Sequence, residues 1–209
     1  PAIALMEFGY VQEAYEQVNA ALNVDPVHGT ILDWYGRIAH AAGHPERVVE
    51  TGARAIELGR PQGRVALHHA FIVDGSMEDM APYVEGESPH TWGWMLRVYE
   101  VRDDPSGFEA SMAWTDEAER NGAGFITEYM RINFLMVGGT ADAYFEQVRA
   151  IAPIDDTVNA FVWMKASTRH RQSPAMKDWV REMGYDDLWR KRGWPDLCRP
   201  LGETDFECD

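Results

Sequence analysis

The chain has 209 residues, 45% of them hydrophobic and 25% charged, and a formal net charge of −15. That length suffices for one sizeable core or a short run of stacked repeats, and the composition is that of an ordered globular protein. The acidic balance argues against a nucleic-acid interface and against adhesion to an anionic membrane, and no apolar run approaches the roughly 20 residues that cross a bilayer.

The chain opens at Pro1, inside a predicted helix and without a signal peptide. A piece of a longer polypeptide is expected, which leaves the compartment open: cytoplasmic, or periplasmic if an upstream membrane segment tethers it. From Val11 to Leu22, apolar residues fall at 11, 14, 15, 18, 21 and 22, the stripe of a helix, which Asn23-Val24-Asp25-Pro26 stops. Gly43 then opens a turn, Pro45 takes a first helical position, and Val48, Val49, Gly52, Ala55 and Ile56 form the next stripe. Gly9, Ala14 and Ala21 recur 34 residues later as Gly43, Val48 and Ala55, and Gly138, Ala143 and Ala150 repeat the internal spacing. Small residues at such positions let paired helices approach closely.

These units resemble the tetratricopeptide repeat family. Ala14, Val18, Ala21 and Pro26 match its second-helix positions, while Leu32, Tyr35, Gly36 and Ala39 match its first-helix positions. Trp92, Met95 and Tyr99 keep the first-helix register, with a second helix from about Ser106 to Arg120 after a lengthened turn at Arg102-Asp103-Asp104-Pro105. Between Pro61 and Glu87 the unit is degenerate: Gly75 keeps the turn, Met80 and Glu87 replace small residues, and Pro82 interrupts the second helix. The resemblance implies an all-α, right-handed superhelical solenoid. About five helix pairs would occupy 1–26, 27–60, 61–88, 89–122 and 123–153, followed by a capping segment, 154–209. In that segment Thr157 to His170 reads as a helix capped by Asp155 or Asp156. Ser173-Pro174 starts another that Gly184 ends, and a short one spans Asp186 to Arg192. No segment carries strand alternation.

Catalytic signatures are missing from the sequence: no phosphate loop, no Gly-x-Ser-x-Gly elbow, no His-Glu-x-x-His. Gly122-Ala123-Gly124 follows a predicted helix, not a strand, and reads as a turn. Neither His68-His69 nor the pair His40 and His44 has the further ligands that a metal requires. His68 and His69 read as a groove-lining residue and a packed neighbour. A non-enzymatic chain with no cofactor and no metal is therefore expected. In the tetratricopeptide family the first helix of each pair lines the concave face. Helical spacing then places Thr30, Asp33, Arg37 and His40 toward that face, with His69 and Arg97 on neighbouring ridges. Such polar residues suit a protein or peptide partner read by hydrogen bonds. Trp92, Trp94, Tyr99, Trp114, Tyr129 and Trp163 have two readings. They are core, or they line an aromatic pocket for a small ligand, sensed or transformed. Self-association through exposed helix faces is a third functional reading.

The stretch from Tyr185 to Cys208 resembles the end of repeat regions in bacterial multidomain regulators. The residues that carry it are Trp189, Gly193-Trp194-Pro195, Cys198-Arg199-Pro200 and Phe206-Glu207-Cys208. In those proteins a winged-helix DNA-binding domain or a class III nucleotide cyclase domain precedes the repeats, so the resemblance implies a regulatory appendage. Trp189, Trp194, Leu197 and Phe206 could cover the last helix face, with Glu203, Asp205, Glu207 and Asp209 folding toward Arg190-Lys191-Arg192. Cys198 and Cys208, the only cysteines, could close a loop in an oxidising compartment or stay reduced in a cytoplasm.

Overall fold

Prolines and glycines punctuate the chain, and the structure, a computed structural model, ends or starts many of its helices at them. It describes residues 1–61, 63–124 and 126–209, with the backbone alone for Pro89 and His90. The fold is mainly helical: α1 (Ala2–Glu7), α2 (Val11–Val24), α3 (Gly29–Ala41), α4 (Pro45–Glu57), α5 (Gly63–Asp74), α6 (Met77–Val84), α7 (Trp94–Asp103), α8 (Phe108–Arg120), α9 (Ile126–Gly138), α10 (Ala141–Ile151), α11 (Thr168–Arg171), α12 (Pro174–Glu182) and α13 (Tyr185–Arg192).

Local chemistry sets most of these boundaries. Pro45 and Pro174 occupy first-turn positions, Ser173 and Thr140 cap α12 and α10, and Ser76 forms a reciprocal capping box with Asp79 at α6. Pro82 lies inside α6, which ends at Val84, and a π-helical turn over Pro89–Gly93 delays α7 to Trp94. The Asp104 carboxylate accepts a hydrogen bond from the Ser106 amide, lengthening the turn before α8.

Consecutive helices pack on one another, and α3, α5, α7 and α9 also touch in succession, forming an inner row. Close approach requires small residues there: a Cβ on Gly36 of α3 would collide with the Ala66 methyl of α5.

The expected helix from Thr157 to His170 is not formed. A 3₁₀ helix runs over Asp156–Trp163, Met164 is extended, and a second 3₁₀ turn covers Lys165–Ser167 before α11. The physical reason is Arg171, whose Nη1 donates to the carbonyls of Val162 and Met164 and so takes two acceptors that an α-helix would use internally. This irregular segment packs against α1, α5 and α9. Its Trp163 ring lies 2.9 Å from where a Cβ would stand on Gly9, whose φ of +88° also belongs to the region that favours glycine.

The two ends of the chain meet. Trp163 Nε1 donates to the Glu7 carbonyl at 2.9 Å, Trp189 Nε1 to the Phe8 carbonyl at 3.1 Å, and the Tyr10 hydroxyl to the Gly193 carbonyl at 2.8 Å. One hydrophobic core therefore runs through residues 1–153 and 154–209 alike.

The tail is not helical throughout: β1 (Cys198–Leu201) and β2 (Asp205–Cys208) form an antiparallel hairpin, with Cys198 opposite Cys208 and the two joined by a disulfide. Trp189 and Phe206 are buried, with Trp194 beside both. The acidic tail does not return to Arg190-Lys191-Arg192. Pairing with β1 places β2 along α12, so Asp205 meets Lys177 and Arg181, while Glu207 and Asp209 meet Arg199. Arg192 instead pairs with Glu13 near the N-terminus. Among the described residues, no helix is long and apolar enough to cross a membrane.

Candidate functional site

The inner row and the 156–163 segment line a partly open cavity of about 170 Å³. Helical spacing supplies its polar groups. Asp33 and Arg37 lie one turn apart on α3 and pair through Arg37 Nη2, at 3.1 and 3.2 Å from the two carboxylate oxygens. His69 reaches the cavity from α5, Asn133 and Tyr129 from one face of α9, Trp94 from the start of α7, and Phe161 from the irregular segment. Arg37, His69, Trp94, Asn133 and Phe161 are buried and form the floor. Val65, Trp92, Ile126 and Tyr129 are half-buried and form the rim.

The guanidinium of Arg37 lies 4.8 Å from the Trp34 ring centroid and 5.9 Å from that of Phe161. The Phe161 ring meets the His69 imidazole edge-on at 5.3 Å and the Tyr129 ring at 5.8 Å. Behind them, His68 contacts Trp94 and Tyr99.

Around this cavity, and out of reach of its open space, Arg37 Nε and Trp94 Nε1 are buried without a hydrogen-bond partner among the described residues, and the ring nitrogens of His68 and His69 have only Asn133 beside them. Buried polar groups are ordinarily paired, so this concentration at one place is unusual. Burial drives the imidazoles toward neutrality: His68 is lowered to about 3 and His69 also falls well below the usual range, with Asn133 close enough to oppose both shifts slightly. Asp33 is raised, because its desolvation outweighs the attraction of Arg37. Tyr129 is pushed up to about 12 by burial and by its bond to the Asp155 carboxylate.

Among the described residues, the cavity's lining has no serine, threonine or cysteine, and its one hydroxyl, on Tyr129, stays protonated at neutral pH. No group of three or more histidine, cysteine, aspartate or glutamate side chains among the described residues could hold a metal ion.

Of the six side chains expected on a concave face, Asp33, Arg37 and His69 come together here. His40 lies just beyond, with Nε2 2.9 Å from Asp74 Oδ2 and Lys165 Nζ 3.6 Å from the same carboxylate oxygen. Arg37, His40 and His69 are buried beneath the irregular segment, so they do not line an open groove. Thr30 is exposed and borders a separate apolar hollow with Val24 and Trp34. Arg97 lies over the Trp114 ring at 4.9 Å. His44 stacks on Tyr15, apart from His40. Of the six aromatics, Tyr99 and Trp163 are core, Trp92, Trp94 and Tyr129 line the cavity, and Trp114 pairs with Arg97.

Asn133 and Phe161 escape the sequence reading. Asn133 carries a usable signal, a lone amide between Ile132 and Phe134 in an apolar helix. Phe161 carries none, because its role depends on the chain folding back between the inner helices. The chain matches no protein-family model, no curated protein and no solved structure.

Proposed function

We propose that this chain is a non-catalytic regulatory module, a stack of tetratricopeptide-type helix pairs that senses a small molecule in the cavity between Arg37, His69, Asn133 and Phe161. One observation carries the reading: a cavity of about 170 Å³ between the inner helices, walled by aromatic rings and almost wholly apolar at its surface. The 34-residue spacing and the small residues between α3 and α5 support the repeat assignment. An open groove for a peptide is less favoured, since the irregular segment covers Arg37, His40 and His69. The resemblance of residues 185–208 to the ends of bacterial regulators supports a regulatory role beside a DNA-binding or cyclase domain. Occupancy would be read out through that same segment, because Trp163 holds the end of α1 and Arg171 ties Val162 and Met164 to the tail.

Ligand-observed NMR with a panel of small fragments tests this reading. Fragments that bind the native chain and not Val65→Phe, which fills the cavity from its rim without removing a polar group, support it. A panel with no binder, or one whose hits bind both proteins equally, overturns it.

A further inference from the structure

We infer that the cavity takes an uncharged, apolar, single-ring aromatic guest, the chemistry of benzene and its small alkyl derivatives. This class of guest presupposes the pocket reading above and sharpens it. Size comes first. About 170 Å³ lies below the roughly 300–1,000 Å³ of drug-sized sites and close to the ~150 Å³ of an apolar cavity that stays dry and takes benzene. The surface facing the open space is almost wholly apolar. A water held there needs about two to four polar partners and finds few, so a guest that displaces it forfeits little.

The polar side chains around the cavity are committed elsewhere. Arg37 Nη2 holds the Asp33 carboxylate at 3.1 Å, and the Tyr129 hydroxyl donates to Asp155. Asn133 donates to the Tyr129 carbonyl at 2.8 Å and lies beside His68 and His69. Arg64, over the rim ring of Trp92 at 5.9 Å, is held by Glu87 at 3.2 Å and by the Tyr83 carbonyl. A polar or charged guest would surrender its hydration here without replacing it.

The walls select an aromatic ring over an aliphatic one. Trp92, Trp94, Tyr129 and Phe161 border the space, and Phe161 already meets His69 edge-on at 5.3 Å. A further ring extends that pattern of faces and edges, which an alkane of equal area cannot do. Two departures from regular helix bring these rings in. Trp92 comes from the π-helical turn Pro89–Gly93, and Phe161 from the 3₁₀ helix Asp156–Trp163. Single π turns recur at functional sites, and 3₁₀ runs beyond about four residues are uncommon.

The test is a titration of the full chain with benzene, cyclohexane, uracil and benzoate by ligand-observed NMR, repeated on Trp92→Leu and Val65→Phe. Far-UV circular dichroism and melting confirm that each variant is folded, and Ile126→Trp replaces Val65→Phe if that variant fails to fold. Benzene should bind at least about tenfold more tightly than uracil or benzoate, and more tightly than cyclohexane. Trp92→Leu should weaken it about threefold, the share of one aromatic contact, and the filling variant should abolish it. Uracil, benzoate or cyclohexane binding as tightly as benzene, with loss on filling, overturns the guest class and leaves the pocket reading standing. Benzene affinity that Trp92→Leu leaves unchanged also overturns the class. Silence of all four probes overturns the class, and the pocket reading with it if the fragment panel is silent too. Binding untouched by the filling variant overturns both.

Discussion

Arg171 and Arg37 are both buried, but the chain uses them in opposite ways. Arg171 Nε donates to the Asp209 O atom at 2.8 Å, Nη1 to the carbonyls of Val162 and Met164 at 2.8 and 2.6 Å, and Nη2 to Thr168 Oγ1 at 2.9 Å. Arg37 hydrogen-bonds only to Asp33, lies over the Trp34 and Phe161 rings, and leaves Nε without a hydrogen-bond partner. The histidines divide the same way. His170 Nε2 bonds to the Met136 carbonyl at 3.1 Å and its ring stacks on Tyr144, while His69 has only Asn133 beside its ring nitrogens. A polar group whose capacity is exhausted by its own chain is architecture. One with capacity left over, beside a cavity, is available to something else.

Acid separates the two regions by the largest effect. His40, His68, His69 and His170 are all lowered by burial, His68 to about 3 and His170 to about 4. His40 faces Asp74 and Lys165, His69 faces Arg37 and its two histidine neighbours, and His170 faces Arg169 and Arg171. Below the ordinary imidazole pKa the unfolded chain binds protons that the folded chain excludes. Stability is therefore complete above about pH 6.5 and falls as pH drops, by ~1.4 kcal/mol per unit for each fully excluded proton. Asp33 and Glu7, raised by burial, offset part of this loss in the carboxylate range. Urea unfolding at pH 7.5 and 5 should differ by several kcal/mol. His69→Gln should flatten the dependence by about one proton at little cost at pH 7.5, whereas His170→Gln should flatten it and destabilise at both pH values.

Arg171→Met comes next, at ~3–5 kcal/mol, because it removes a buried guanidinium's hydrogen bonds to the carbonyls of Val162 and Met164, of which Met164 keeps only that from the Ser167 amide. A lowered urea midpoint with an unchanged slope is the expected observation. Replacing Cys198 and Cys208 together with serine should cost ~2–3 kcal/mol on the loop-entropy estimate for a separation of 10 residues, and leave fragment binding unchanged. An altered guest affinity in that variant would show that the tail and the cavity are coupled.

The division between these regions was legible in the sequence only in part. Helical periodicity, the prolines at 45 and 174 and the caps at Ser173 and Thr140 announce their helices, because those signals act within a few residues. Residues 157–167 mislead, because an apolar run with a capping aspartate looks helical until Arg171 claims its carbonyls. The hairpin escapes because Cys198 and Cys208 lie on four-residue strands, too short for alternation to register. Helical spacing alone points to Asp33 and Arg37, and the neighbouring ridge to His69. The sequence does not show that the chain folds back over that face, so the groove narrows to a pocket with Phe161 among its lining residues.

The smallest expected effect is the most discriminating. Arg37→Met alone would strand Asp33, so the informative variant is Asp33→Leu with Arg37→Met, which removes the ion pair without leaving a buried charge. Replacing a buried pair by apolar groups of similar volume is often neutral or stabilising. If the pair serves the cavity, the double variant should unfold within about 1 kcal/mol of the native chain, or above it, while losing affinity for fragments that bind the cavity. A loss comparable to that of Arg171→Met would instead place Arg37 with the architecture. The distinction between satisfied and unsatisfied groups would then fail as a guide to where this molecule binds anything.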